Sequence, residues 1–430
     1  MTAQLTSGDL PPAILVPPPG PRSRALAETL RRLEAPGINT LPHAEDSDPP
    51  IAWLEACGAN VLDVDGNVYV DLTSGFGAAA IGHRHPRVVA AVAEQGARLL
   101  HGLSDVQPHL GRAALAARLV ALSPVPGAQV YFAVSGSEAV EIALETALAA
   151  TGRPGILAFD PAYHGLTLGA LAATSRPEFR RPFTPYLHPH VRRLPFGAPR
   201  AELAAALEGE IGAVIVEPVV GREGVLLPPP GWLTELAGLC RERSALLVAD
   251  EIFTGFGRTG RRFAVEAEGV VPDLLCCGKA LGGGLPIAAV LARRDLFAVW
   301  ERDGEALHTA TFVAHPLACA AAAAALDVMD EERLAERAAA LGEALAPRLA
   351  GWPGRYPAVA AVRGRGLLWG IEMRRRHEAA RWVGEALRRG ILLLAGGPEG
   401  RVAQLVPPLT IARPLLDLAL DRLEEALAAL

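Results

Sequence analysis

Lysine is all but missing from this chain. Lys and Arg together number 41, and Lys279 is the single lysine among them. Cysteine is also sparse. Cys57, Cys240, Cys276, Cys277 and Cys319 have no paired spacing suited to zinc or to a disulfide framework. They read as small buried hydrophobes in a reducing compartment, and no metal site is expected. A strong excess of one charge is lacking too: the net charge is −6, and the tightest basic cluster, Arg374 to Arg376, has Glu372 as an acidic neighbour. That argues against nucleic acid as a partner. The longest apolar run, Pro316 to Leu326, is far too short for a membrane span. Prolines interrupt "LPPAILVPPPGP", where a signal peptide would need an unbroken apolar stretch. A soluble, cytoplasmic protein is the expectation.

What the chain does have is apolar bulk. Half of its 430 residues are hydrophobic, enough for two domains or one large domain with a smaller lobe. Residues 1 to about 50 are rich in Pro and polar residues and read as an arm with one short helix, "RALAETLRRLEA". "GANVLDVDGNVYVDLTSG" follows, two alternating runs around Asp-Gly, which signals a hairpin. Between about 110 and 300, apolar runs alternate with Ala/Leu-rich helices. The strand candidates are 129–134, 156–159, 213–218, 245–251 and 274–277. Their near-continuous hydrophobicity predicts an α/β fold with a mostly parallel sheet covered on both faces. After residue 316 come Ala-rich helices, the runs "RGLLWGIEM" and "ILLLAG" and a closing amphipathic helix, a smaller α+β lobe.

Ligands of open α/β sheets bind beyond the carboxyl ends of the strands. Here those ends carry Glu217, Asp250 with Glu251, Lys279, and the segment Ser135–Gly136–Ser137. "SGSEAVEIALETALAA" opens a helix with an S-x-x-E capping box, whose N-terminus suits a phosphate. Taken singly, each feature has a plainer explanation. Most such boxes only start helices, an isolated strand-end Asp is commonly a cap, and Tyr163 in "DPAYHGLT" could be packing rather than stacking.

Lys279 weighs against the plainer explanations. Arg can replace Lys as a charge but cannot form an imine, whereas a desolvated lysine is an amine nucleophile. A chain that uses Arg at every other basic position has no electrostatic reason to keep one Lys at a strand end before "GGG". A strand-end Lys, an earlier strand-end Asp, a phosphate cradle and an aromatic together match pyridoxal 5′-phosphate.

The chain also resembles the class III pyridoxal-phosphate aminotransferases of fold type I. The likeness rests on "DVDGNVYVDLTSGFGAAAIGHRHP", "VSGSEAVEIAL", "AYHG", "VEPVVGREG", "ADEIFTGFGRTG", "PDLLCCGKALGGGLP", "HTATFVAHPLACAAA" and "LVPPLTI", in that order. The resemblance implies that Lys279 forms the Schiff base and that Asp250 pairs with the ring nitrogen. It implies that Gly136 and Ser137 hold the phosphate, that Tyr163 stacks on the ring beside His164, and that Ile252 covers the other face. Thr311 would reach the phosphate of the neighbouring subunit, giving a homodimer with shared active sites, and Glu217 would border the substrate pocket. The expected division is 1–57 (arm and part of the small domain), 58–315 (large domain) and 316–430 (C-terminal small domain).

The chain departs from the family pattern at four places. Phe253 stands where many members carry Gln; Val220 and Arg222 stand where "QGEGG" is common; His315 replaces Asn. Gln404 stands where acetylornithine and ornithine aminotransferases carry an Arg that grips the substrate α-carboxylate. Either the carboxylate binds elsewhere, with Arg222 and Arg401 as candidates, or the substrate has none there; a surface charge explains either Arg as readily. The expected activity is ping-pong transfer of an amino group from an amino acid or ω-amino compound to a keto acid. The alternative is a racemase or epimerase of the same family.

Overall fold

In the computed structural model, residues 5, 7–38, 49–103 and 105–430 are described. A seven-stranded sheet lies at the centre. Its strands in chain order are β1 (Ala128–Ala133), β2 (Gly155–Asp160), β3 (Val191–Pro195), β4 (Ile211–Val216), β5 (Leu246–Asp250), β6 (Leu274–Cys277) and β7 (Ala288–Arg293). Their order across the sheet is β1-β7-β6-β5-β4-β2-β3. All run the same way except β7, which is antiparallel to both of its neighbours. The five expected runs form strands, with ends shifted by at most two residues.

Strands β3 and β7 were not expected. The direction of β7 comes from the turn after Lys279. There Gly283 and Gly284 take φ of 57° and 106°, a region open to glycine at little cost. The chain therefore doubles back, and Val290 of β7 pairs with Cys276 of β6. "GGG" is thus a tight reversal of the chain. A Cβ on Gly283 would come within 3.1 Å of Ala325 in the Ala-rich helix Pro316–Glu331 packed over it.

Strands β4 and β6 are buried along their whole length, because both sheet faces are covered. Helix α1 (Gly136–Thr151) buries Val140, Ile142, Ala143 and Ala147 on the face carrying Ile156, Ile215, Val248 and Cys276. The opposite face carries Leu157, Val214, Leu247 and Cys277 and packs with Trp232 and Leu236. Adjacent Cys276 and Cys277 therefore point to opposite cores, as strand alternation requires, and all five cysteines are unpaired.

Two smaller sheets flank this domain. Strands Asn60–Asp63 and Val68–Asp71 form the expected hairpin, with Gly66 at φ 94° in its turn. Trp53–Cys57 pairs on one side of it, so the expected division after residue 57 falls in a turn between two paired strands. The "ILLLAG" run is split. Ile391–Leu392 joins Val68–Asp71 in the N-terminal sheet, while Leu394–Gly396 joins the antiparallel sheet of Val359–Arg365, Leu368–Met373 and Val402–Leu405. The C-terminal lobe and the N-terminal hairpin are thereby tied together. Within the expected arm, residues 1–4, 6 and 39–48 lie outside the described residues. Among the described residues, no helix is long and apolar enough to cross a membrane.

Candidate active site

Strand register brings the charged groups together. Val216 of β4 pairs with Ala249 of β5, so Glu217 and Asp250 leave the sheet side by side. Asp250 pairs with Cys276 of β6, and Lys279 follows three residues later. All three line one cavity of about 670 Å³, together with Gly136, Ser137, Tyr163, His164, Arg222, Ile252, Phe253 and Gln404. Every expected site residue except Thr311 is on this wall. Thr311 is solvent-exposed and not part of it.

Lys279 has φ 42°, a left-handed conformation that is costly for a residue with a side chain and is tolerated mainly where function demands it. Its Nζ lies 4.5 Å from the centre of the Phe253 ring. Burial pushes this amine below its ordinary value; Asp250 and Glu217 pull it back up, and Arg222 pushes it further down. The group is thereby brought nearer to the neutral, nucleophilic form.

Asp250 is 5 % exposed and uses both oxygens. Its Oδ2 is 2.7 Å from Nδ1 of the buried His164 ring, and its Oδ1 accepts from the Ile252 N–H at 3.1 Å. His164 is held from behind by Thr174, whose Oγ1 accepts its N–H and donates to the Gly165 carbonyl. The His164–Asp250 pair explains how a carboxylate is kept at a buried strand end. Glu217 accepts the N–H of Tyr163 on one oxygen and that of Gly221 on the other, both at 2.9 Å. Burial pushes the Glu217 carboxyl up to about 7, with His164 opposing and Asp250 adding to the rise.

The start of α1 is an anion cradle. Ser135 accepts the Glu138 N–H, and Glu138 Oε2 accepts the Val134 N–H, one residue earlier than a standard capping box places it. Among the described residues, the N–H groups of Gly136 and Ser137 donate to nothing, leaving two donors at the positive end of a helix dipole. The loop Tyr163–Thr167 presses against them: Ser137 Oγ bonds Thr167 Oγ1 at 2.6 Å, and a Cβ on Gly165 would lie 2.2 Å from Ser137 Oγ.

The four departures part ways in the structure. Arg222 faces the cavity, its guanidinium carbon 4.3 Å from the centre of the Tyr163 ring. Arg401 lies elsewhere, donating to the Met373 carbonyl with Glu372 at 3.4 Å. Gln404 lines the cavity, but its amide nitrogen donates to the carbonyls of Gly221 and Arg222. Phe253 fits only because its neighbours are glycines: a Cβ on Gly77 or Gly221 would come within 2.5 or 2.0 Å of its ring. His315 caps the helix Pro316–Glu331 by accepting the Leu317 N–H, and Val220 is buried in a bridge with Leu226.

The class-III aminotransferase family model matches residues 42–427. Acetylornithine aminotransferase of Methanopyrus kandleri is 42 % identical over 380 residues, covering 88 % of this chain and 95 % of that protein. The chain belongs to the class-III aminotransferases. Ornithine aminotransferase of Toxoplasma gondii ME49 superposes with a TM-score of 0.85 at 30 % identity, over 95 % of each chain. An amine transaminase from an uncultivated Pseudomonas species, solved with pyridoxal phosphate bound, gives 0.82 at 30 % identity over 92 % of this chain and 99 % of that one. This aminotransferase is a fold type I enzyme and uses pyridoxal 5′-phosphate. Neither the family nor these relatives supports the racemase alternative.

The residues present fit that cofactor. The cavity holds an amine, a carboxylate fixed by a histidine and two partnerless N–H donors at a helix start. Sequence reasoning missed Thr73, Phe76, Leu166, Thr167, Leu394 and Val406 on the cavity wall. The run Ser74–Gly77 was within a quoted motif, but only the structure shows φ between 47° and 84° at all four residues. Nothing in their spacing marks Leu394 and Val406, which arrive from the C-terminal lobe.

Proposed function

We propose that this aminotransferase holds its cofactor through the Lys279 amine and moves an amino group from an amino acid or ω-amino compound to a keto acid. The observation that carries this reading is the chain's single lysine. It is held at φ 42° with its amine depressed by burial, in the same cavity as the His164–Asp250 pair.

When bound, the cofactor supplies an electron-accepting ring that stabilises negative charge on the substrate carbon next to the transferred nitrogen. Asp250, its carboxylate fixed by His164, would face the ring nitrogen and keep it protonated. The Gly136 and Ser137 N–H groups would hold the phosphate at the helix start. Tyr163 and Ile252, both on the cavity wall, would hold the ring between them. The Lys279 amine would take the proton from that substrate carbon and return it, as general base and acid. Burial, which lowers its basicity, favours the neutral amine that takes the proton.

The working unit is a homodimer in which Thr311 contributes to the neighbouring subunit's phosphate site. This is supported by the exposure of Thr311 beside two exposed apolar residues, Leu307 and Phe312, 60 % and 58 % accessible in one chain. Free, mostly buried cysteines support a cytoplasmic location.

The test is a panel of L-amino acids and ω-amino compounds, incubated with cofactor-loaded enzyme with and without a keto acid. The expected result is an aminated product that needs the keto acid. Formation of a D-enantiomer without keto acid, and no amino transfer, refutes the reading.

A further inference from the structure

Building on the transaminase reading, we propose that Arg222 is the carboxylate anchor of the substrate pocket. The amino donors and carbonyl acceptors this enzyme takes therefore carry a carboxylate that seats on residue 222. Position 404 offers only a neutral amide, and its nitrogen is already committed to two backbone carbonyls.

Those two bonds help to build the anchor. Gln404 Nε2 donates to the carbonyls of Gly221 at 2.9 Å and Arg222 at 3.1 Å, and the Gly397 N–H donates to Arg222 O at 3.1 Å. The Gly221 N–H is held by Glu217. Three separate segments thus fix the backbone that carries Arg222. The side chain is fixed as well, with its guanidinium carbon 4.3 Å from the Tyr163 ring centre and 5.5 Å from that of Phe179. Contact with a ring face uses no hydrogen-bond acceptor, so the guanidinium N–H donors stay available to a carboxylate, which an Arg can take by two parallel bonds.

Among the described residues, no carboxylate takes those donors. Among the described residues, Arg222 has no ion pair. Its neighbour Glu223, 1 % exposed, is paired with Arg176 at 2.7 Å. The two carboxylates on the cavity wall are engaged elsewhere, Glu217 with two N–H groups and Asp250 with His164 and the Ile252 N–H. Arg222 is therefore a half-buried cation on the cavity wall with no carboxylate partner among the described residues, close enough to Lys279 to push its amine down. A bound carboxylate supplies the missing partner.

The test uses cofactor-loaded enzyme and calorimetric titration with propionate, succinate and glutarate, each compared with its neutral amide. The wild type is expected to prefer the acids. Arg222→Gln is expected to lower that preference by about 10- to 100-fold, the range for a lost charge-assisted hydrogen bond. Arg222→Lys is expected to keep part of it as a point charge. Retained visible absorbance of the bound cofactor shows that the pocket is intact, and if Arg222→Gln does not load, Arg222→Lys carries the test with a weakened preference. A wild type that binds acids and amides equally, or a Gln or Lys variant with the full wild-type preference, overturns the anchor. If the preference is lost on substitution but no amino group is ever transferred, the anchor stands and the transaminase reading fails. If transfer proceeds but the preference is unmoved, only the anchor fails.

Discussion

Glu217→Gln should change stability in a way that depends on pH, and the sign follows from the structure. In the wild type, burial raises the Glu217 carboxyl from an ordinary 4.5 to about 7. A carboxyl raised in the folded state binds its proton more tightly folded than unfolded. Its neutral form is tolerated, and stability is lost as pH rises from about 4.5 through about 7. That gap is worth about 3 kcal/mol at about 1.4 kcal/mol per pH unit. Glutamine does not titrate and lacks this loss. It has a cost of its own, because both Glu217 oxygens accept N–H groups, from Tyr163 and Gly221. An amide can accept only one of them, and the other N–H is left facing a donor, at about 1–3 kcal/mol. The variant should therefore be less stable than wild type by about 1–3 kcal/mol at pH 5 and should equal or exceed it at pH 8. Glu251 is likewise raised to about 7, but it is present in both proteins and cancels. Denaturation midpoints of the two cofactor-free proteins at pH 5 and pH 8 measure the difference directly. A stability difference that is the same at both pH values refutes the reasoning.

Three further outcomes are expected. Lys279→Arg keeps a cation but loses the amine; turnover should fall by about 10²- to 10⁴-fold, and mass spectrometry after borohydride treatment should find no cofactor attached to the chain. An attached cofactor would place the covalent link elsewhere. Gly165→Ala puts a Cβ 2.2 Å from Ser137 Oγ at φ 131°, so it should strain the phosphate cradle by about 1–3 kcal/mol. The check is cofactor dissociation followed by fluorescence, which should become about 5- to 150-fold easier on that scale; unchanged affinity would remove this loop from the cradle. Gly221→Ala drives a Cβ to 2.0 Å from Phe253 and should cost about 1–3 kcal/mol. In combination with Phe253→Ala most of that cost should vanish, and strict additivity in a double-mutant cycle of denaturation midpoints would show that the two do not touch.

Much of the site was readable because its residues follow the runs that build the sheet. Glu217, Asp250 and Lys279 each end or follow a fully apolar stretch, and a buried parallel sheet presents such ends at one edge. The helix start after β1 was readable for the same reason, since Ser135 and Glu138 are local capping chemistry. The rarity of lysine singled out one of those ends with no structure at all. These are short-range signals, and burial patterns and caps depend on a few consecutive residues.

The rest depends on parts of the chain that are far apart in sequence. Nothing local says that β7 runs backwards between β1 and β6, because its direction is set by a glycine reversal packed under a helix some forty residues further on. The His164–Asp250 pair, the fit of Phe253 against Gly77 and Gly221, and the bonds from Gln404 that hold residues 221 and 222 all join segments far apart in sequence. Arg222 and Arg401 are equivalent as letters. The fold turns one toward Tyr163 and the cavity and gives the other to Glu372 and the Met373 carbonyl. Composition and strand pattern are enough to say that an amine nucleophile works at the edge of a parallel sheet. Which charge meets the substrate is a matter of long-range packing, because a side chain's free donors are the ones its tertiary neighbours leave unused.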